Sequence, residues 1–228
     1  MRLIAALAGI ICLGPGSAAA QQGKWSLSGS FAVNNPLPEK AALEAVLLKA
    51  GAEVGRQPVS AGDAVAFRFE SLSAGAYTVR LVAKREGQSL VLAATPAAEL
   101  TAAAPSKNGL SAKAVGVDGR IAGSVRLAGA PPAKRMIFVS ARRADMTHTS
   151  YMPDGVNNAS QELAPEELGA GEVKYSFEGL SYGVYRLSLM SYDYATHQTL
   201  AHGALDGEIV VDLERARHAD KSFSASFR

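Results

Sequence analysis

Tyr175-Ser-Phe-Glu-Gly-Leu-Ser-Tyr-Gly-Val-Tyr-Arg-Leu-Ser-Leu189 has a second, altered copy in the same chain, Phe67-Arg-Phe-Glu-Ser-Leu-Ser-Ala-Gly-Ala-Tyr-Thr-Val-Arg-Leu81. The two copies share an aromatic residue followed by x-Phe-Glu-x-Leu-Ser-x-Gly-x-Tyr, at a constant offset of 108 residues. Apolar residues alternate with polar or small ones on both sides of the glycine, which is the two-residue period of a half-buried strand. Glycine is favoured where a chain must turn. Each copy is therefore predicted to be a hairpin that turns at Gly75 or Gly183.

Two further segments are repeated in the same order. Residues 27–31, Leu-Ser-Gly-Ser-Phe, match residues 121–125, Ile-Ala-Gly-Ser-Val, at an offset of 94. Residues 110–114, Leu-Ser-Ala-Lys-Ala, match residues 223–227, Phe-Ser-Ala-Ser-Phe, at an offset of 113. Three matched elements in one order indicate an internal duplication. Because the repeat spans about a hundred residues, each copy is expected to be a domain rather than one unit of a solenoid.

The predicted domains are residues 21–116 and residues 117–228, joined by a link of only a few residues. The offset between the copies rises from 94 to 108, so the second copy contains 14 extra residues. They fall within residues 145–172, a segment rich in Pro, Gly and Asn that is predicted to be an inserted loop. Duplication of a core does not require this insertion, which makes it the most distinctive feature of the second copy.

Residues 38–50 favour a helix by composition, whereas their counterpart, residues 134–142, has the pattern of a strand. If the two copies share a fold, the need to pair within a sheet overrides local propensity. A strand is therefore expected over residues 43–49, with the helix as the alternative.

The first 20 residues have the features of a secretory signal peptide. Arg2 precedes an apolar core that is too short to span a bilayer, for which about 20 residues are needed, and small residues precede a cleavage position before Gln21. The single cysteine, Cys12, lies in that core, so disulfides are not expected in the mature chain. The protein is predicted to be exported to the periplasm or the extracellular space, with no membrane span after cleavage; the alternative is that the segment is retained as an anchor.

The charge of the chain is balanced. There are 23 Lys and Arg against 21 Asp and Glu, and the loss of Arg2 leaves a net charge of +1. Because the two signs are interspersed, no patch suited to nucleic acid or an anionic membrane is predicted. Together with the signal, the alanine-rich composition is typical of a bacterial envelope protein.

Residues 121–132, with the strand through Val139 and the aromatic motif that ends at Leu189, resemble the carboxypeptidase regulatory-like domains. These domains are similar to prealbumin-like and collagen-adhesin B-type β-sandwiches. The resemblance implies an all-β fold, two tandem antiparallel Ig-like or prealbumin-like β-sandwiches after a signal peptide. The first copy matches more loosely and has Ser71 where the family usually has glycine. Such domains usually serve as accessory, stalk or binding modules and have no catalytic residues.

No motif in the chain supports catalysis. Serine does not occur in a nucleophile elbow, no glycine-rich loop could cradle a phosphate, and no spacing matches a zinc motif. The four histidines are all in the second copy and are predicted to be solvated loop residues: His148, His197, His202 and His218. A metal site would require His148 and an acid to converge with another of these histidines. A transthyretin-like hydrolase would need convergent His and Arg residues and a Tyr-Arg-Gly-Ser ending, which this chain lacks. We therefore expect no catalytic residue, no metal and no cofactor, and a protein that is not an enzyme.

Tyrosines concentrate in the second copy. Tyr175 and Tyr185 align with core positions of the first copy and are assigned to packing. The remaining ones are predicted to lie on turns and strand ends, where aromatic rings can anchor a peptide or stack on a sugar: Tyr151, Tyr182, Tyr192 and Tyr194. An alternative is that Tyr192 and Tyr194 only cover the bottom of the sandwich.

The sequence thus favours a non-catalytic exported module that binds a protein of the bacterial envelope, or has a structural role there, through the loops of its second domain. The alternative is a carbohydrate-binding module that recognises a cell-surface glycan with the same tyrosines.

Overall fold

The computed structural model describes residues 25–147, 155–169 and 171–227. The predicted signal peptide and Tyr151 lie outside these ranges.

The first half of the described chain consists of eight strands: β1 (Trp25–Val33), β2 (Ala42–Lys49), β3 (Ala52–Pro58), β4 (Ala64–Leu72), β5 (Gly75–Arg85), β6 (Gln88–Ala94), β7 (Ala98–Leu100) and β8 (Ser106–Ala114). The second half has nine strands and one helical turn: β9 (Gly119–Ala128), β10 (Arg135–Arg143), β11 (Asn158–Glu162), α1 (Pro165–Leu168), β12 (Glu172–Leu180), β13 (Gly183–Asp193), β14 (Gln198–Ala204), β15 (Ile209–Val211), β16 (Arg217–His218) and β17 (Phe223–Ser226). The all-β fold class is confirmed.

Each half contains two sheets. In the first half one sheet has the order β4-β1-β8 and the other the order β3-β2-β5-β6, with β7 also paired to β5. The second half repeats this arrangement, with β12-β9 flanked by β16 and β17 in one sheet and β11-β10-β13-β14 in the other, where β15 pairs with β13. Among the described residues, only the closing strands run parallel to their partners: β8 along β1, and β16 and β17 along β9.

The two strands of each aromatic motif belong to different sheets. β4 pairs with β1, while β5 pairs with β2, β6 and β7. The predicted hairpin is therefore wrong, and the chain crosses the core at this point in both halves. Both Phe67 and Tyr77 are buried, as the alternation of apolar and polar residues indicates. The alternation does not show that the two residues face the core from opposite sheets.

The tyrosine of the motif closes this crossing. The Tyr77 hydroxyl donates to the carbonyl oxygen of Ser73 at 3.0 Å, and the Tyr185 hydroxyl donates to that of Ser181 at 2.8 Å. A tyrosine whose hydroxyl bonds to the backbone a few residues upstream is the tyrosine corner known from β-sandwiches. The shared Gly-x-Tyr pattern is thus a structural feature of the crossing between sheets.

Residues 42–49 form β2, so the predicted strand is confirmed and the helical alternative is wrong. β2 is paired on both sides, with β3 and β5. Ala45 and Leu47 are buried in the main core, whereas Val46 and Leu48 form a small second cluster with Val82. Because both faces of β2 are covered, its apolar residues are nearly continuous and the period of two is obscured.

The predicted inserted loop contains a strand. Arg56 lies opposite Val46 and Ser160 lies opposite Ser140, so β3 and β11 are equivalent at an offset of 104. Ten of the 14 extra residues therefore lie between β10 and β11, and four lie between β11 and β12, where α1 is found. A deletion of residues 146–171 would remove β11 from its sheet.

Candidate functional site

Tyr182 is not exposed, contrary to the prediction from its place in a turn. Only 3% of it is accessible, and its N–H donates to the carbonyl oxygen of Gly116 at 2.9 Å. Burial, followed by the neighbouring Asp118, raises the pKa of the Tyr182 hydroxyl. The turn before β13 lies against the link between the halves, which sequence alone did not indicate.

Tyr192 and Tyr194 lie at the end of β13, as predicted, and they share one face. Tyr194 is 64% exposed, and its ring meets the half-buried ring of Tyr192 edge-on, with centroids 5.1 Å apart. The Tyr192 hydroxyl is 2.8 Å from Nδ1 of His197, and the Tyr194 hydroxyl is 3.5 Å from Sδ of Met136. These contacts hold both rings at the surface.

The two tyrosines belong to a larger apolar surface. Met136 on β10 lies opposite Tyr192, and Phe138 lies opposite Met190, so all four side chains share the face of the sheet that points away from the buried residues. Each is partly exposed. We call this surface the aromatic–methionine face: Met136, Phe138, Met190, Tyr192 and Tyr194.

The same face of the first half is covered by charged side chains. Arg56 contacts Glu44 at 2.5 Å and Lys84 contacts Glu44 at 3.0 Å, above the buried Val46, Leu48 and Val82. The alkyl stems of such residues cover apolar surface while their charges stay in water. At the equivalent strand positions the second half has Phe138 for Glu44, Tyr192 for Lys84 and Ser160 for Arg56. The second half therefore exposes apolar side chains where the first half exposes an ion network.

Asp193 shapes the turn that presents Tyr194. Its Oδ1 accepts hydrogen bonds from the N–H of Ala195 at 2.9 Å and of Thr196 at 3.3 Å, and Arg135 lies 3.3 Å from Oδ2. The bond from Ala195, followed by that from Thr196, lowers the pKa of Asp193. The carboxylate is thus ionised at neutral pH and the turn keeps its form.

The junction between the halves contains a buried ion pair. Arg143 forms two hydrogen bonds of 2.8 Å with Asp145, and neither side chain is exposed. The same guanidinium donates to the carbonyl oxygen of Pro36 at 3.0 Å. In addition, the backbone N–H of Glu39 donates to the backbone carbonyl oxygen of Asp145 at 2.8 Å. The turn before β2 is therefore attached to the end of β10.

A second set of contacts also joins the two halves. The segment 212–215 follows β15 and reaches the edge of β6, where the buried carboxylate of Asp212 accepts from the N–H of Val91 at 3.1 Å. Asp212 also bonds the Arg215 side chain at 2.6 Å, and this bond is the main reason why the pKa of Arg215 is raised. Arg80 and Glu214 add an ion pair of 2.7 Å. These two sets of polar contacts thus define how the two halves meet.

Three of the four histidines that were predicted to be solvated have protein partners, and His197 has the Tyr192 hydroxyl described above. Nε2 of His202 is 2.7 Å from the Ser191 hydroxyl, and its ring meets that of Phe227 with centroids 4.9 Å apart. Nε2 of His218 is 2.7 Å from the carbonyl oxygen of Val210. His148 lies outside the described residues. Within the described ranges, no group of three or more His, Cys, Asp or Glu residues could hold a metal ion.

No helix in the part of the chain that the structure describes is long and apolar enough to cross a membrane.

Sequence reasoning missed Met136, Phe138 and Met190. The available signal was that β10 and β13 carry large apolar residues on both faces, as in Met136-Ile-Phe-Val and Leu189-Met. It also missed Arg143, Asp145 and Asp212, because their partners in the first half, Pro36, Glu39 and Val91, are far away in sequence.

No protein-family model matches the sequence, and no curated protein matches it. Solved structures with a related arrangement include the TIE protein of Bacillus anthracis, at 9% identity and a TM-score of 0.33, and the minor pilin GBS52 of Streptococcus agalactiae, at 12% identity and a TM-score of 0.30. A streptococcal ancillary pilin matches at 10% identity and a TM-score of 0.29. Each comparison covers 90% of this chain, which spans 34% of the TIE protein, 96% of GBS52 and 63% of the ancillary pilin. Identities and TM-scores this low show neither a shared family nor a shared function.

Proposed function

We propose that this protein is a non-catalytic, exported module of the bacterial envelope that binds another protein through the aromatic–methionine face. Its two domains are residues 21–116 and 117–228, and the signal peptide is removed before Gln21 on the way to the periplasm or the extracellular space. The polar contacts at the junction would hold the second domain in one orientation while it presents that face.

The observation that carries the proposal is the exchange of an ion network for apolar side chains between the two halves. Lys84 and Glu44 form an ion pair on the first half, and the equivalent positions of the second half are Tyr192 and Phe138. An exposed apolar patch that a duplicated core does not require is typical of an interaction surface. Tyrosine supplies contact area at low entropic cost, and methionine adapts to different partner shapes.

The composition of the face favours a protein over a sugar. Met136, Met190 and Phe138 carry no strong hydrogen-bonding group, and a sugar needs such groups around its hydroxyls. The specific observation that favours a glycan is the exposed ring of Tyr194, which meets the ring of Tyr192, while Tyr192 in turn lies beside His197. We keep glycan binding as the second candidate for that reason.

The experiment compares what three forms of the mature protein capture from the envelope of the producing bacterium after chemical crosslinking. They are the wild type, the double variant Tyr192→Ser with Tyr194→Ser, and Val54→Ser as a control. Val54 is a 52% exposed apolar residue on the first half, so its replacement changes a comparable surface elsewhere. We expect at least one protein to be captured by the wild type and the control but not by the double variant.

The affinity for that purified protein should fall at least about tenfold in the double variant, since aromatic anchors commonly contribute about 2 kcal/mol or more to binding. Identical capture by all three forms would contradict the proposal. Binding on a glycan array that disappears in the double variant, with no protein captured, would select the second candidate.

A further inference from the structure

The junction shows how an edge strand of this fold is capped. At the edge of β6, the N–H of Leu213 donates to the carbonyl oxygen of Val91 at 2.9 Å, and the N–H of Val91 donates to the Asp212 carboxylate at 3.1 Å. Nη2 of Arg215 donates to the carbonyl oxygen of Ser89 at 2.7 Å. A short segment of the second half thus satisfies the free backbone groups of this edge.

β14 is the equivalent edge strand of the second half. Val91 lies opposite Val82, and Ala201 lies opposite Met190, with a register shift of one residue at the same place in both ladders. The backbone groups of successive residues in a strand point alternately towards one neighbouring strand and the other. Since Ala201 and Val91 have the same register, the N–H and C=O of Ala201 point away from β13, just as those of Val91 point away from β5. Thr199 occupies the place of Ser89.

The edge of β14 is open along this stretch. β14 ends its sheet, and within residues 25–147, 155–169 and 171–227 no strand pairs with its outer side. Leu200 is 44% exposed, whereas Leu90, its equivalent on β6, is fully buried. Natural proteins normally protect such edges with charges, proline or a covering segment, because an open edge templates pairing with another chain.

The edge adjoins the aromatic–methionine face. Thr199 lies opposite Tyr192 and Ala201 lies opposite Met190, so small side chains separate the large ones from the open edge. A strand added to β14 would place alternate side chains beside Thr199 and Ala201, within reach of Tyr192 and Met190.

We propose that β14 binds its partner as an added strand, by the same contacts that β6 makes with residues 212–215. The inference rests on the proposed function and names the partner's chemistry: an extended segment of another protein with a carboxylate that accepts from the N–H of Ala201 and an apolar side chain beside Tyr192. Main-chain bonds supply affinity in this mode, and alternate side chains supply specificity. A second copy of this chain fits less well, because its own segment 212–215 is already bound to β6 within the molecule.

The test uses a synthetic peptide of residues 208–217, Glu-Ile-Val-Val-Asp-Leu-Glu-Arg-Ala-Arg, with the intact mature protein. Amide NMR spectra should show concentration-dependent shifts at Thr199, Leu200 and Ala201, with a dissociation constant on the order of 1 mM. Exchange of the Ala201 amide hydrogen should slow when the peptide is bound. A peptide with the same residues in scrambled order should leave both readouts unchanged.

Ala201→Pro removes the N–H that points outward, a change that edge strands tolerate. We expect it to weaken peptide binding at least about tenfold, whereas Ala201→Val, which keeps the N–H, should bind within about threefold of the wild type. Equal binding by the proline and valine variants, or no change at β14 with the wild type, would overturn the inference. If the proline variant unfolds, hydrogen exchange at the Ala201 amide of the wild type replaces it as the test. Slower exchange with bound peptide would support the inference, and unchanged exchange would overturn it.

The proposed function is judged separately, by the two tyrosine substitutions. Loss of the captured protein in the tyrosine variant without any effect of Ala201→Pro would mean that the face binds but that the strand edge does not. Concentration-dependent self-association that Ala201→Pro abolishes would identify a second copy as the occupant and overturn the proposal of another protein.

Discussion

Arg143 and Asp145 form a bidentate ion pair, with Nε to Oδ1 and Nη2 to Oδ2 both at 2.8 Å and neither side chain reaching solvent. Because Arg143 also donates to the carbonyl oxygen of Pro36, this pair ties the second half to the first. It occupies the place that Lys49 has in the first half, where the ammonium group donates to Ser73 at 2.8 Å near the surface.

Replacing Asp145 by alanine should lower the free energy of unfolding by about 3–5 kcal/mol, because the buried Arg143 would lose its counter-charge. Urea denaturation measures this. The matched control is Lys49→Met, which removes a cation at the equivalent but partly exposed position and should cost no more than about 1 kcal/mol. A loss in Asp145→Ala no larger than in the control would show that the pair does not stabilise the junction.

The second prediction concerns a backbone position that differs between the halves. Ser71 has a φ of +57°, and its equivalent Gly179 has a φ of +72°. A residue with a Cβ costs about 1 kcal/mol in this region, whereas glycine adopts it freely. Ser71→Gly should therefore stabilise the protein by up to about 1 kcal/mol, and Gly179→Ser should destabilise it by about 1 kcal/mol.

Thermal unfolding followed by circular dichroism checks both substitutions. A Cβ on Gly179 has room, because its nearest contact outside the adjacent residues is the carbonyl oxygen of Val117, 3.9 Å away. A loss of stability in Gly179→Ser therefore reports backbone strain and not a clash. Changes of the same sign in the two variants would refute this explanation.

The third prediction is a pH dependence that arises from His202. Burial, followed by the positive charge of Arg135, lowers the pKa of this imidazole below its ordinary value of 6.5. The unfolded chain then binds the proton more readily than the folded protein. The contribution of His202 to stability is therefore complete above pH 6.5 and decreases as the pH falls from there towards the lowered pKa.

The measurement is the free energy of unfolding at about pH 7.5 and about pH 5 for the wild type and for His202→Gln. The glutamine cannot titrate, so the wild type should lose more stability between the two values than the variant does. Equal losses would assign the pH dependence to other groups, such as the carboxylates.

The fourth prediction concerns the packing of the link between the halves. A Cβ on Gly116 would lie 2.6 Å from Cζ of the buried Tyr182 ring. Gly116→Ala should therefore force the ring or the link to shift, at a cost of about 1–3 kcal/mol. Gly62→Ala is the control, because a Cβ there meets only the carbonyl oxygen of Ala64 at 3.7 Å.

Combining Gly116→Ala with Tyr182→Ala tests whether the two positions interact. If the clash is the cause, the double variant should be more stable than the sum of the single losses predicts. Additive losses would place the cost of Gly116→Ala elsewhere.

Much of the fold could be predicted from the local sequence pattern. The alternation around Phe67 and Tyr77 indicated strands with one buried face, and the matched copy around Tyr175 and Tyr185 indicated that a second set of strands exists. The strand over residues 42–49 could be predicted only by comparison with residues 134–142, because its own composition favours a helix.

The aromatic–methionine face and the junction could be identified only from the tertiary structure. Nothing in the sequence distinguishes Tyr182, which the junction buries, from Tyr194, which stands in solvent, since both lie next to turns. Likewise, the sequence gives no sign that Arg143 and Asp212, a cation and an anion of types usually found at the surface, are buried in the folded chain.

The sequence by itself determined which residues of the aromatic motif face a core, that this motif occurs twice, and that no familiar catalytic motif is present. Only the tertiary structure decided which strands share a sheet, where the two halves touch, and which apolar side chains are left uncovered. The physical reason is that alternation depends on neighbours two residues apart, whereas Arg143 meets Pro36 and Asp212 meets Val91 across more than a hundred residues, and such contacts leave no local pattern.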